Sequence, residues 1–284
     1  MISKAVLIPI LLFFSLNLNG VISFPNAKIN LGLQITDKRS DGYHNIDSCF
    51  YPVPIIDALE VLKAEDVGIS ISGLEVAGDK YDNFIWKAYK LLKADFNIDS
   101  ISVHLLKKIP MGAGMGGGSA DGAFMLKMLN NLFKLNLSKK QLEHYALKLG
   151  SDCPFFIENT PKYVTGRGEI LAPIQVDLSG YWLGFIFPNL HISTAMAYGG
   201  IEPNPERKSV KKIIENQPIE QWKGILANDF EQSIFTNHPE LMAYKNFLYE
   251  NNAIYASMTG SGSTLYAIFN KKEQLDVIDQ WISL

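Results

Sequence analysis

The apolar positions of this chain change period along its length, and the order of those changes outlines a fold. Apolar, β-rich stretches at 24–35, "FPNAKINLGLQI", and 55–64, "IIDALEVLKA", predict strands, with the turn-rich "TDKRSDGYHN" between them. "GISISGLEV" (68–76) alternates and predicts another strand. "DNFIWKAYKLLKADF" predicts a helix that buries Phe84, Ala88, Leu91 and Leu92 and is capped by Asp82 or Asn83. "ISVHLLKKI" (101–109) predicts a strand that runs into a glycine-dense stretch. After it, "ADGAFMLKMLNNLFKL" predicts an apolar helix. A second helix follows, with Ser138 and Gln141 at capping-box spacing and Leu142, Tyr145, Ala146 and Leu149 on one stripe. Gly150 supplies its stop, and "SDCPFFIE" is a further break.

Beyond that break, "YWLGFIF" (181–187) predicts a strand and residues 208–250 are mostly helical. "AIYASMTGSGSTLYAIF" (253–269) reads as strand, glycine turn, strand, and the last segment as a short helix. Strands in runs followed by helices in runs predict an α+β fold rather than a doubly wound parallel sheet. A boundary between 170 and 180 divides the chain into two parts of domain size, 21–175 and 176–284.

Composition narrows the function classes. With 284 residues, 47% hydrophobic and 19% charged, the chain can bury a sizeable core and is not globally disordered. A formal charge of -3 leaves no basic excess to track a phosphate backbone, so no nucleic-acid partner is expected. The five histidines and two cysteines show neither C-x-x-C nor H-E-x-x-H spacing, so no metal-ligand set is expected among them. Cys49 and Cys153 can form one disulfide, but two thiols in a chain this size fit a reducing, cytoplasmic compartment better.

The N-terminus points elsewhere. One lysine precedes an apolar run from Ala5 to Leu16, too short for a comfortable membrane span and shaped like the start of a signal peptide. No A-x-A-like pair of small residues follows it. A valine codon at Val21 can serve as a start, which makes residues 1–20 an extension outside the fold. They are set aside in fold reasoning, and no membrane partner is expected.

The stretch "IPMGAGMGGGSADGA" (109–123) carries the first chemical signal. Gly112, Gly114 and Gly117 satisfy G-x-G-x-x-G, yet a dinucleotide fold needs a strand and an acidic residue in a window that two successive helices occupy here. Gly112, Gly117 and Ser119 approach a Walker A loop, but Gly118 stands where that loop needs its lysine. What remains is a glycine loop that opens a helix. Such a loop exposes N–H donors and the positive end of the helix dipole, which together cradle phosphate. A loop that merely permits close packing is the alternative. Ser119 is placed either to cap the helix or to reach a phosphate or metal ion.

"PNAKINLGL", "PMGAGMGGGSADGA" and "TGSGST", in this order, resemble the three motifs of the GHMP kinases, small-molecule kinases whose ATP loop is distinct from Walker A. "DGYHNIDS", "GSDCPFF" and "TGRGE" extend the likeness to a branch that phosphorylates a 2-hydroxyl of an alcohol carrying a cytidine diphosphate group, in isoprenoid precursor synthesis. The resemblance runs from about Phe24 to near the C-terminus and leaves residues 1–20 without a counterpart. It implies two α+β domains, the first like ribosomal protein S5 domain 2 and the second ferredoxin-like, with the active site in the cleft between them. It also implies a small-molecule substrate, ATP, and Mg²⁺ held mostly by phosphates and water.

The same resemblance assigns residues. Asp152 matches the catalytic base and Lys28 its partner. Pro110, Met111, Gly112, Ala113, Gly114, Met115, Gly116, Gly117, Gly118, Ser119 and Ala120 match the ATP loop, and Asn83 a position near the adenosine. Ala120 stands where the family often has a second serine, which removes one phosphate or metal contact. Tyr43 matches a ring that stacks on cytosine, His44 a reader of its edge, and Tyr198 the aromatic on the other face. Thr194 lies in the same substrate loop, and Asn30 near the substrate and Lys28.

The chemistry is coherent, because a lysine beside a carboxylate keeps it ionised and also stabilises a developing alkoxide. Read without the family, Asp152 starts a turn, Asn83 caps a helix, and Lys28 is a strand charge with apolar neighbours Ile29 and Leu31. Gly260 and Gly262 are expected to let "TGSGST" pass close to the phosphate loop. Arg167, in "TGRGE", is either a phosphate contact or a surface residue and is left outside the site.

Overall fold

In the computed structural model, which describes residues 20–76, 78–79 and 81–284, the alternating segments build three four-stranded sheets. The apolar run Ala5–Leu16 lies outside the described residues. The strands are β1 (Gly20–Ser23), β2 (Asn26–Lys38), β3 (His44–Ile56), β4 (Ala58–Lys63), β5 (Gly68–Gly73), β6 (Ile101–Lys107), β7 (Lys162–Thr165), β8 (Ile170–Pro173), β9 (Trp182–Ile186), β10 (Tyr255–Met258), β11 (Leu265–Phe269) and β12 (Gln280–Ser283). The helices are α1 (Phe84–Asp95), α2 (Gly117–Leu132), α3 (Lys139–Leu149), α4 (Phe155–Glu158), α5 (Thr194–Gly199), α6 (Val210–Asn216), α7 (Phe230–Asn237) and α8 (Pro239–Glu250).

Two compact units interleave along the sequence. The first takes the described residues up to Asn26, then Ile55–Ile109 and Gly117–Ile157; the second takes Ala27–Pro54, Pro110–Gly116 and Glu158–Leu284. The glycine stretch is therefore shared, with its centre in the second unit and its helical end in the first.

The first unit carries the sheet β1-β4-β6-β5, antiparallel except for the parallel β5–β6 pair. Alternation sends Leu59, Val61, Ile101, Val103 and Leu105 into the core. Helices α1, α2 and α3 pack on one another, and α2 lies on β1 and β4. Asn83 starts α1 by accepting the Trp86 N–H at 2.9 Å. That helix buries Ile85, Ala88, Tyr89 and Leu92, so its stripe is rotated from the expected one: Ala88 and Leu92 lie inside, while Phe84 and Leu91 are only half-buried. The capping box at Ser138 and Gln141 forms, and all four expected residues of α3 are buried. Gly150 ends α3 in an extended conformation, φ 177°, rather than a left-handed one.

The second unit holds β2-β3-β7-β8 and the antiparallel sheet β10-β11-β9-β12. Helix α8 packs on β10 and β11, and α5 on α7. A strap at 227–229 runs beside β2, where Leu33 N–H donates to Ala227 O at 2.9 Å and Asp229 N–H to Leu33 O at 2.8 Å.

Three expectations are corrected. The strand expected at 55–64 is split at Asp57, and β3 runs from the end of the turn-rich stretch through residues 46–54, for which no element is expected. Pro52 and Pro54 disguised that strand, yet its pairing with β7 covers only Ser48–Phe50, so neither proline costs that ladder a donor. The last segment is a strand, not a helix: Gln280–Ser283 pairs with β9 and sets Trp281 against Phe269 at 5.0 Å. Gly20, placed in the extension, already pairs with Leu62 in β1.

Candidate active site

In the first unit the glycine stretch enters α2 at Gly117, so the first N–H groups of that helix lack intrahelical acceptors. Both stems of the stretch are held from below by a buried cluster. Lys107, at the end of β6, donates from Nζ to Asp57 Oδ2 at 2.5 Å and to Asp121 Oδ2 at 2.7 Å. Asp57 Oδ1 accepts the backbone N–H groups of Lys108 (2.5 Å) and Ile109 (2.8 Å). A Cβ on Gly117 would lie 3.0 Å from Lys107 Nζ, so the helix start rests on the ammonium. Burial raises the Asp121 carboxyl to about 7; Lys107 pulls it down and Asp57 pushes it up. None of these three residues was singled out from the sequence.

Asp152 sits half-buried in the turn between α3 and α4. The neighbouring Cys153 thiol is pushed up to about 12, chiefly by burial, and is hydrogen-bonded to Ser119. Ser119 and the turn that carries Asp152 therefore meet. Cys49 and Cys153 are both free, so the possible disulfide does not form. Two buried polar atoms lack partners in this region: Asn83 Nδ2, a donor, and Asp121 Oδ1, an acceptor. The helices bearing them are packed tightly, since a Cβ on Gly122 would lie 2.7 Å from Phe84 Cβ.

In the second unit Lys28 is not a surface charge. It is 3% exposed on β2, donates to Asn30 Oδ1 at 2.6 Å and lies 4.4 Å from the centre of the Phe50 ring. Its backbone N–H donates to Met115 O at 2.9 Å, which ties β2 to the glycine stretch. Asn30 is a hub. Its Oδ1 also accepts the Gly260 N–H (3.0 Å), its Nδ2 donates to Ser48 Oγ (3.0 Å), and its own N–H donates to Thr259 Oγ1 (3.1 Å). The Tyr266 hydroxyl donates to its carbonyl at 2.7 Å.

The approach expected of Gly260 is present. A Cβ there would lie 2.8 Å from Gly114 Cα, whereas one on Gly262 would meet Met258 and Ile192. Gly114 has φ +75°, and a Cβ on it would lie 1.9 Å from Thr259 O. Gly114→Ala is therefore expected to destabilise the protein by more than about 2 kcal/mol, from left-handed strain plus a clash with rigid backbone. Urea unfolding should show a lower midpoint at unchanged m-value.

A second cluster in the same unit is aromatic. His44, at the start of β3, stacks on Tyr198 of α5 with centroids 4.8 Å apart and planes at 18°. Tyr198 meets Phe230 edge-on at 4.8 Å. Tyr43 is 56% exposed, and the Arg167 guanidinium lies 4.7 Å from its ring centre. Ser193 starts α5 by accepting the Met196 N–H at 3.2 Å, which leaves Thr194 exposed on its first turn.

Comparison with known proteins gives the family. The family model for the GHMP kinases N terminal domain matches residues 83–159, and that for GHMP kinases C terminal matches 210–283. A 4-diphosphocytidyl-2-C-methyl-D-erythritol kinase of Bacteroides thetaiotaomicron is 48% identical over 263 residues, 91% of this chain and 96% of that one. The chain belongs to the GHMP kinase family. A kinase of the same name from Cytophaga hutchinsonii is 46% identical, with 89% and 94% of the two chains covered. The crystal structure of a 4-(cytidine 5'-diphospho)-2C-methyl-D-erythritol kinase is similar at a TM-score of 0.73, with 28% identity over 87% of this chain and 90% of that one. The α+β architecture is thus the GHMP kinase fold, and the protein is a small-molecule kinase with ATP as phosphate donor.

Proposed function

We propose that this GHMP kinase transfers the γ-phosphate of ATP to the 2-hydroxyl of 4-diphosphocytidyl-2-C-methyl-D-erythritol, releasing ADP and the 2-phosphate, as a cytoplasmic step of isoprenoid precursor synthesis. The observation that carries the reading is the His44–Tyr198 stack, next in the chain to the exposed ring of Tyr43, in a chain 48% identical to a kinase of that name. A pyrimidine needs flat faces for stacking and a polar group at its edge, whereas homoserine or mevalonate offers neither ring nor edge. Among the described residues, no helix is long and apolar enough to cross a membrane.

The residues fit ATP. The α2 N-terminus with Gly117, Gly118, Ser119 and Ala120 offers donors to phosphate, and the rest of the loop, Pro110–Gly116, supplies further backbone. Asn83 Nδ2, buried without a partner, is a donor that suits the polar edge of a nucleobase or ribose. Mg²⁺ bound with ATP would supply charge neutralisation to the transferring phosphate. No group of three or more His, Cys, Asp or Glu among the described residues is gathered for a metal. The Ser119 hydroxyl and the Asp152 carboxylate are hard oxygen donors that suit such an ion, alongside phosphate and water.

Each side chain then has a task. Asp152 orients the 2-hydroxyl and accepts its proton. Lys28, held by Asn30, stabilises the developing alkoxide and the transferring phosphoryl group. Tyr43 and Tyr198 hold the base, His44 reads its edge, and Thr194 and Asn30 position the remainder.

The test is ADP release with ATP and the cytidine-diphosphate alcohol, in wild type and in Tyr43→Ala. Substrate-dependent turnover is expected, with the KM for the alcohol raised roughly 10- to 100-fold in the variant, the worth of one stacked base, and the KM for ATP unchanged. Turnover on homoserine or mevalonate instead, or an unaltered KM in Tyr43→Ala, would overturn the assignment.

A further inference from the structure

We infer that Arg167 is a specificity-determining residue of the nucleotide site: its guanidinium meets the diphosphate of the nucleotide stacked at Tyr43 and so separates a nucleoside diphosphate from a free nucleoside. This rests on the substrate reading above and adds to it a residue that the sequence left undecided.

The guanidinium is placed, and only its Nε faces a carboxylate. It lies 4.7 Å from the centre of the Tyr43 ring with its side chain 33% exposed. Its Nε is buried and has no hydrogen-bond partner. Glu169 Oε1 faces that Nε as an ion pair at 3.8 Å, while its Oε2 accepts the backbone N–H of Arg167 at 2.5 Å. Glu169 therefore fixes the turn and leaves the terminal nitrogens of the cation their donors.

Two other arginines of this unit are spent. Arg39 donates from Nε to both oxygens of Asp41 (3.1 and 3.0 Å) and from a terminal nitrogen to Asn45 (3.0 Å). Arg207 makes a two-pronged pair with Asp229 at 2.6 and 2.5 Å. Among the described residues Arg167 makes no such pair through its terminal nitrogens, and it is the guanidinium at the ring where a base is to stack.

The base beneath it is rigid. Arg167 sits in the turn of the β7–β8 hairpin, between Gly166 and Gly168, both at positive φ. The Gly166 carbonyl accepts the Ile46 N–H at 2.8 Å, two residues after His44. The strand that carries the aromatic residues and the turn that carries the cation are thus tied together. A base on Tyr43 brings its 5'-phosphates within reach of a guanidinium already at that ring. Arginine binds phosphate oxygens through parallel N–H bonds, which a lysine cannot reproduce.

The experiment is calorimetric titration of the full chain with cytidine, CMP and CDP, in wild type, Arg167→Met and Arg167→Lys. Wild type is expected to prefer CDP to cytidine. Arg167→Met should lose roughly 10- to 100-fold in CDP affinity. Its cytidine affinity should move by less than about fivefold, the worth of an exposed cation–π contact. Arg167→Lys should fall between, and ATP affinity should hold in all three. An equal loss for cytidine and CDP would mark a merely structural arginine and overturn the inference. So would an unchanged preference for CDP in Arg167→Met, with the substrate reading left standing. Failure of wild type to bind either cytidine or CDP would overturn the substrate reading, and the inference with it.

Discussion

Asp152→Asn is expected to lower kcat by roughly 100- to 10,000-fold while the KM for ATP stays within a few-fold. The carboxamide keeps the size of the side chain and its place in the turn, so Cys153 stays buried against Ser119. It cannot accept a proton. The loss should therefore fall on the chemical step and appear in single-turnover ADP formation as well as in steady state. Lys28→Met probes the other charge, with an expected loss of roughly 100- to 1,000-fold in kcat, the scale of removing one preorganised electrostatic group. The fold should tolerate it, because Asn30 Oδ1 keeps the Gly260 N–H as a donor at 3.0 Å. An Asp152→Asn protein within tenfold of wild-type kcat would remove the base assignment.

Local signals in the sequence carried much of the architecture. The capping box at Ser138, the α3 stripe and the glycine turn between β10 and β11 depend on residues a few positions apart, where periodicity and turn chemistry act. β3 escaped because its polar start and two prolines break alternation, and a four-residue strand such as β12 has no period to read. The burial of Lys28 was foreshadowed by Ile29 and Leu31. Its partner Asn30 was legible through the motif they share, and His44 and Tyr198 through the order of motifs rather than any local pattern. The cluster under the glycine stretch was not legible. Lys107 lies 50 residues from Asp57 and 14 from Asp121, and a lysine that ends a strand reads as solvated. Nothing in composition says that three charges will share one dry site.

That cluster carries the largest expected effect on stability. In Lys107→Met the apolar replacement fills the space, but Asp57 and Asp121 lose the ammonium between them. Breaking a buried ion pair from one side costs about 3–5 kcal/mol, because the remaining charge is left uncompensated. Asp57 keeps two backbone donors, so the burden falls on Asp121, whose Oδ1 already lacks a partner. The loss should depend on pH, and its sign follows from proton counts. In wild type the Asp121 carboxyl is raised from 3.8 to about 7, so between those values the folded state holds a proton that the unfolded state has released. The contribution of Asp121 to stability therefore falls as pH rises from about 4 to 7 and levels off above. Without Lys107 the carboxyl keeps its proton to a higher pH, and the fall should continue past 7. The destabilisation of Lys107→Met should thus be smallest near pH 5 and largest near pH 8, whereas Asp121→Asn should flatten the wild-type slope between 4 and 7. Urea unfolding of the three proteins across that range decides it. A Lys107→Met penalty independent of pH would mean that packing, not uncompensated charge, holds the stems of the glycine stretch together.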